Sequence, residues 1–147
     1  MNAADLVALI LFLLNVVVWW KATSRRRTTR SQARRQVRKT AYCTRVIDGD
    51  TIEVVVNGKV ERVRYIGMDT PEVGESGFQS ATEANRRLVE GKQIVMERDR
   101  RNRDNYKRLL RYVWVGRTFV NAQLVKMGKA KVMVVEPNVR RIKQIAQ

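Results

Sequence analysis

Between Lys21 and Arg45 the chain carries ten lysines or arginines and no acid. From Lys21 to about Thr40, "KATSRRRTTRSQARRQVRKT", it also has almost no large apolar side chain. A stretch that repels itself and has nothing to bury cannot form a core. The chain is thereby cut in three: an apolar segment 1–20, a basic linker 21–40, and residues 41–147, which are long and mixed enough to fold as one domain. Of the formal net charge of +16, residues 21–45 hold +10 and residues 46–147 hold +7, with Asp5 the one acid before them. Such charge attracts polyanions, whether nucleic acid or anionic lipid heads.

The first segment reads "AADLVALILFLLNVVVWW" and is apolar from Leu6 to Trp20 except for Asn15. As a helix that run is about 23 Å long, short of a hydrocarbon core of about 30 Å. Ala3, Ala4 and the Trp19–Trp20 pair extend it to a span with indoles at the headgroup level. A cleavable signal peptide is the rival, but it has a basic start and a small-residue cleavage site; here the start is "MNAAD" and the end "WWKATSRRR". A buried core helix would show a polar face, and none is present. The expectation is an uncleaved, single-pass membrane anchor over residues 3–20, with the basic linker lying on anionic lipid. Basic residues after the span and an acid before it favour a cytoplasmic body.

Histidine is absent, which excludes histidine acid–base catalysis and histidine-ligated metals. The single cysteine, Cys43, excludes an internal disulfide and a cysteine-rich zinc site, and on a strand it reads as a small apolar filler. Any metal must sit on oxygen ligands, as Ca²⁺ or Mg²⁺ does.

Within the body, "YCTRVI" and "TIEVVV" read as strands, and Asn57–Gly58 as a type I′ hairpin turn. "KVERVRYIG" is the return strand, with Val60, Val63 and Tyr65 among its apolar positions. "QSATEANRRLVEG" reads as a helix with Ala81, Ala84, Leu88 and Val89 on one face and Gly91 as its stop. "QIVMER" and "LLRYVWV" are two more strands, "TFVNAQLVKMG" a second helix with Thr118 as its N-cap, "AKVMVV" a short strand, and "EPNVRRIKQIAQ" a short terminal helix. Five main strands with a helix inserted after the third fit a mostly β fold, a five-stranded OB barrel plus helices.

Three stretches concentrate chemistry. "VIDGDTIEV" places Asp48 and Asp50 around Gly49, which is either a tight turn or part of a cation site. "RYIGMDTPE" repeats the pattern at a strand exit, with Asp69, Thr70 and Glu72 held by Pro71. "RDNYKR" sets an acid, an aromatic and Arg108 in a polar loop before a strand. Together they meet the needs of phosphodiester cleavage. A divalent cation on Asp50 and Asp69 can bind a phosphate oxygen and a water, Glu72 can orient or deprotonate that water, and Arg64 and Arg108 can clamp phosphoryl oxygens.

"VIDGDTIEV", "VRYIGMDTPE", "DNYKRLLRYVWV" and "NAQLVKMGKAKV", in this order and at these intervals, resemble the staphylococcal nuclease (thermonuclease) family over roughly residues 42–135. The resemblance implies an OB barrel and Ca²⁺-dependent cleavage of DNA and RNA that leaves 3′-phosphate ends, using one ion. It implies Asp50 and Asp69 as Ca²⁺ ligands, with the Thr70 backbone carbonyl beside them, and Asp48 as an acid close to the metal. It implies Glu72 as general base, Arg64 and Arg108 as the phosphate-binding arginines, and Tyr106 as a contact to a terminal phosphate. The chain departs from the pattern at Lys107, where the family usually has glycine and where a lysine could add a phosphate contact. Near Val134 a base-stacking tyrosine is missing. The loop "VGESGFQS" is short, and the C-terminal helix is truncated.

Two rivals stand beside the nuclease. One is a catalytically silent OB module that binds nucleic acid while tethered to a membrane; loss of a catalytic acid or arginine would favour it, and none is lost. The other is a lipid-bound scaffold whose barrel is incidental. A requirement for calcium favours a domain facing the exterior, against the charge flanks, so the side of the membrane stays open.

Overall fold

The structure, a computed structural model, describes residues 38–147 together with Trp19. The chain divides into two units, Met1–Gln36 and Val37–Gln147, and the second holds the barrel. The expected anchor, apart from Trp19, and the linker as far as residue 37 lie outside the described residues. Among the described residues no helix is long and apolar enough to cross a membrane.

Alternation of apolar and polar side chains builds the barrel wall. Strands β1 (Arg38–Val46), β2 (Thr51–Val56) and β3 (Lys59–Tyr65) form an antiparallel meander. Ile52, Val54 and Val56 point inward from β2, and Val63 and Tyr65 from β3. The β2–β3 turn is made by Asn57 and Gly58, both with positive φ, as a type I′ turn requires. After the two-residue β4 (Met68–Asp69) comes helix α1 (Phe78–Val89), and then β5 (Gln93–Glu97) returns beside β1. Strand β6 (Leu109–Val115) pairs antiparallel with β5 and parallel with β3. That last pairing closes β1, β2, β3, β5 and β6 on themselves, as the OB expectation requires.

Helix α1 covers one mouth of the barrel with Ala81, Ala84 and Val89, with Leu88 packed partly against the core, and Gly91 ends it at φ +70°. Cys43 is fully buried among the apolar side chains. Its thiol is pushed up to about 11 by burial, which keeps it an inert filler. Helix α2 (Val120–Lys126) packs through Val120 and Leu124. Asn121 donates to the Ile66 carbonyl (2.9 Å) and accepts from the Val113 backbone N–H (2.9 Å), so it joins the exit of β3 to β6. The terminal helix α3 (Ile142–Ile145) buries Ile145 against Ile66 and Tyr112. A side chain at Gly67 would run into Ile145 and Ile142, so that glycine is the seat of the terminal helix.

Several expectations shift. Arg38–Thr40, expected in the linker, are the first described residues of β1 and pair with Val95–Glu97. Thr118 does not cap α2. It forms strand β7 (Thr118–Phe119) against Val115, and the cap position falls to Phe119. Of "AKVMVV" only β8 (Lys131–Val132) is strand, paired with β4. Val60 is on the outer face and exposed.

Glu97 ties the two ends of the domain. Its buried carboxylate accepts from Arg38 Nε (2.7 Å) on β1 and from Arg141 Nη2 (2.9 Å) beside α3. Both guanidiniums also lie over the Trp114 ring. Burial opposes the Glu97 charge, yet the hydrogen bonds from Arg141 and Arg38 outweigh it and hold the carboxyl below the usual carboxylate range. The contribution of a carboxyl lowered in the folded state is complete above its unfolded value, about 4.5, and is lost as pH falls through the folded value. Glu97→Gln is expected to cost about 2 kcal/mol at neutral pH, less than a fully buried pair because the arginines are partly solvated. Urea denaturation across the acid range should show a shallower loss of stability below the unfolded value in the variant than in the parent chain.

Candidate active site

The connection between β1 and β2 is four residues long, and after Ile47, whose backbone N–H donates to the Thr51 carbonyl, each has a task. The Asp48 side chain accepts the Asp50 backbone N–H (3.0 Å), closing the bend. Gly49 is there for space: a Cβ would lie 2.7 Å from Thr70 Oγ1. Asp50 is fully buried. Its Oδ2 accepts from both the backbone N–H (3.1 Å) and the hydroxyl (2.9 Å) of Thr70, while its Oδ1 accepts from Thr51 Oγ1 and pairs with Arg64. A buried carboxylate is tolerated when its lone pairs are met in this way. On the far side Asn85 of α1 donates to the Asp48 carbonyl (3.0 Å) and accepts from Tyr65 (2.9 Å), which fixes the bend to the core.

Arg64 leaves β3 directly across from Thr51. One Nη pairs with Asp50 and the other with Asp69 Oδ1 at 2.6 Å. Parallel pairing of Val63 with Leu109 sets the start of β6 alongside β3, so Arg108 comes level with Arg62 and its side chain reaches Thr51, the residue that faces Arg64. Arg108 Nε donates to Asp104 Oδ2 (2.7 Å), its Nη1 reaches Thr51 Oγ1 (3.4 Å), and its guanidinium stands 5.3 Å from the Tyr106 ring centroid. Asp104 Oδ1 also accepts the backbone N–H groups of Tyr106 and Arg108. Asp104 therefore shapes the loop and aims the arginine. Below the loop Arg111 donates to the Asn102 carbonyl and side chain; burial, then the nearby Arg98 and Arg103 charges, lower it to about 10.

These groups surround an open cavity of about 440 Å³. Asp48, Asp50, Arg64, Thr70, Glu72, Tyr106 and Arg108 all line it. Glu72 is exposed, and its carboxylate makes no hydrogen bond or ion pair among the described residues, although its backbone N–H is held by Glu75 Oε2 (2.8 Å). Tyr106 stands out from the rim at 81% exposure. Two of the expected residues do not line this cavity. Asp69 borders a neighbouring groove and meets the cavity through Arg64. Lys107 turns on its own backbone at φ +63°, pinned by Arg103 donating to its carbonyl (2.6 Å).

The sequence offered clues to three further residues that escaped assignment. Asp104 lies four before Arg108 in a loop, and Asn85 lies on the buried side of a helix. Arg62 lies two before Arg64 on a strand, so it shares its face, and it lines the cavity as well.

Among the described residues no group of three or more acidic or thiol side chains gathers as a metal cluster. Two carboxylates do converge, since Asp50 and Asp69 both contact the one guanidinium of Arg64. All the donors are hard oxygens, and a pair of carboxylates already drawn to a shared positive charge suits a Ca²⁺ ion completed by carbonyl and water. The residues present fit such an ion in donor type, and to bind it the Asp50 and Asp69 carboxylates would exchange the Arg64 guanidinium for the ion.

Comparison with known proteins gives concordant findings. Residues 62–147 match the model of a family described as staphylococcal nuclease homologue. The chain is 36% identical over 109 residues to a thermonuclease of Staphylococcus hyicus, covering 70% of this chain and 64% of that protein. It is 42% identical over 108 residues to endonuclease YncB of Bacillus subtilis (strain 168), covering 68% of this chain and 51% of that protein. A thermonuclease of Staphylococcus intermedius is 38% identical over 100 residues, 64% of this chain and 60% of that one. The chain thus spans between about half and two thirds of the length of these relatives.

The positive φ explains why a glycine suits position 107, for a side chain there carries a steric cost. Lys107→Gly is expected to stabilise the domain by about 0.5–1 kcal/mol, relief of strain being partly offset by a freer unfolded chain. Chemical denaturation of the two proteins measures it, and equal midpoints would show that the loop carries no strain at this residue.

Proposed function

This chain belongs to the staphylococcal nuclease family, and on that footing we propose that it is a calcium-dependent nuclease. It hydrolyses phosphodiester bonds of DNA and RNA and leaves 3′-phosphate ends. The observation that carries this reading is the convergence, in one cavity, of Arg64 from β3 and Arg108 from the loop before β6 with the unpaired carboxylate of Glu72 and the buried carboxylate of Asp50. Asp50, Asp69 and the Thr70 carbonyl would hold one Ca²⁺, which when bound neutralises phosphate charge and favours an ionised water.

The chain's own residues account for the remaining chemistry. Glu72 takes a proton from the attacking water, whose oxygen bonds to phosphorus as the bond to the 5′ oxygen breaks. The departing oxygen takes a proton from solvent across the open side of the cavity. Arg64 stands beside Asp50 and Asp69, and with those carboxylates given to the ion its N–H groups serve a phosphoryl oxygen. Arg108, aimed by Asp104, donates from the other side. Tyr106 completes the substrate contacts within the cavity, Lys107 adds positive charge beside it, and Asp48 acts by holding the backbone of Asp50. By sequence the apolar segment 3–20 and the basic linker support a further part of the proposal, that membrane lipid tethers the nuclease.

The purified chain is expected to cut single-stranded DNA and RNA with Ca²⁺ and to stop with a chelator. Glu72→Gln should lower kcat by at least about 100-fold, and Arg108→Ala by about 100- to 1000-fold. End-group analysis should find 3′-phosphates. Cleavage that persists in chelator, or in Glu72→Gln at the parent rate, would sink the assignment.

A further inference from the structure

We infer that Arg62 is a third phosphate-binding arginine, which holds the phosphate next to the scissile one and so makes the site one for an extended single strand. This rests on the nuclease reading and adds a residue to it. Arg62 and Arg64 are two apart on β3 and share its outer face. Two strand residues span about 6.8 Å, comparable with one nucleotide step of an unstacked strand. Both line the same cavity, as do Arg108 and Tyr106.

Charge accounting separates Arg62 from its neighbours. Arg64 is engaged by Asp50 and Asp69, and Arg108 by Asp104. Glu53, which faces Arg62 across the β2–β3 ladder, is paired with Arg45 at 3.3 Å. Arg62 is exposed and makes no hydrogen bond or ion pair among the described residues. The cavity also holds Asp48, Asp50 and Glu72, so Arg62 is distinguished by having its guanidinium N–H groups unengaged at the rim, where a phosphate can take them. The scissile phosphate is taken by Arg64 and Arg108, which leaves the neighbouring phosphate for Arg62. The exposed Tyr106 ring offers a face to an unstacked base, a feature of single-strand sites.

The test separates binding from cutting by using the full chain silenced with Glu72→Gln. Its affinity for a short oligothymidylate, and for a dinucleoside monophosphate whose sole phosphate is the scissile one, is measured over a salt series. Adding Arg62→Gln should weaken oligothymidylate binding about tenfold and flatten the slope of log K against log salt by about 0.7. The loss should exceed that on the dinucleoside monophosphate at least about fivefold. Arg62→Lys should restore the slope, and thermal unfolding should match the parent. An unchanged slope, or equal losses on the two ligands, overturns the role of Arg62 while leaving the nuclease intact. A parent chain that neither binds nor cuts either ligand overturns the proposed function and this inference together.

Discussion

The whole site hangs on one buried charge. Asp50 has no exposed surface, so its carboxylate must be met inside the protein or the domain loses stability. Thr70 supplies a backbone and a hydroxyl donor, and Arg64 a countercharge. Each partner imposes a condition in turn. Thr70 must come so close to the β1–β2 connection that only glycine fits at position 49. Arg64 must sit opposite Thr51, which sets the register of the β2–β3 ladder. The hairpin register, in turn, is fixed by the two positive φ values at Asn57 and Gly58. A local electrostatic demand thus reaches the turn at the far end of the sheet.

Closure of the barrel does the rest. The parallel contact between β3 and β6 joins strands that are separated by a helix, two strands and a long basic loop. No local signal in the chain brings Arg108 to Arg64. It follows from closure of the sheet, in which the first half of β6 pairs with the end of β3 while β7 takes the rest of that edge. Asp104 then converts proximity into aim, since it holds the loop backbone and the Arg108 side chain at once.

Alternation along β2, β3 and β5, the Asn–Gly turn and the helix stop at Gly91 were legible in the chain because each is a local rule of period or dihedral. The grouping of Asp50, Arg64, Glu72 and Arg108 was legible through motifs, and the cavity they share accords with it. What escaped was set by partners distant in sequence. Thr118 reads as a helix cap, but β6 offers its edge and takes Thr118 and Phe119 as strand. Arg38 reads as linker by charge, yet Glu97 on β5 captures it. "AKVMVV" has strand composition, but only the two residues of β4 are there to pair with it. In each case pairing opportunity overrode propensity.

The same logic bears on how the proposed nuclease would hold its substrate. Where the family pattern expects a tyrosine near Val134, this chain exposes aliphatic residues, Val134 at 59% and Val135 at 51%. Tyr106 is the ring that lines the cavity and stands exposed. An aliphatic side chain cannot supply the roughly 1–3 kcal/mol that a stacked base gains on an aromatic face. Against that loss the cavity sets Arg62, Arg64 and Arg108. Stacking is insensitive to salt, whereas phosphate contacts release counterions and weaken as salt rises. In the proposed nuclease, a ring lost near position 134 and a guanidinium present at position 62 would shift part of the grip from bases to backbone and make it more responsive to ionic strength.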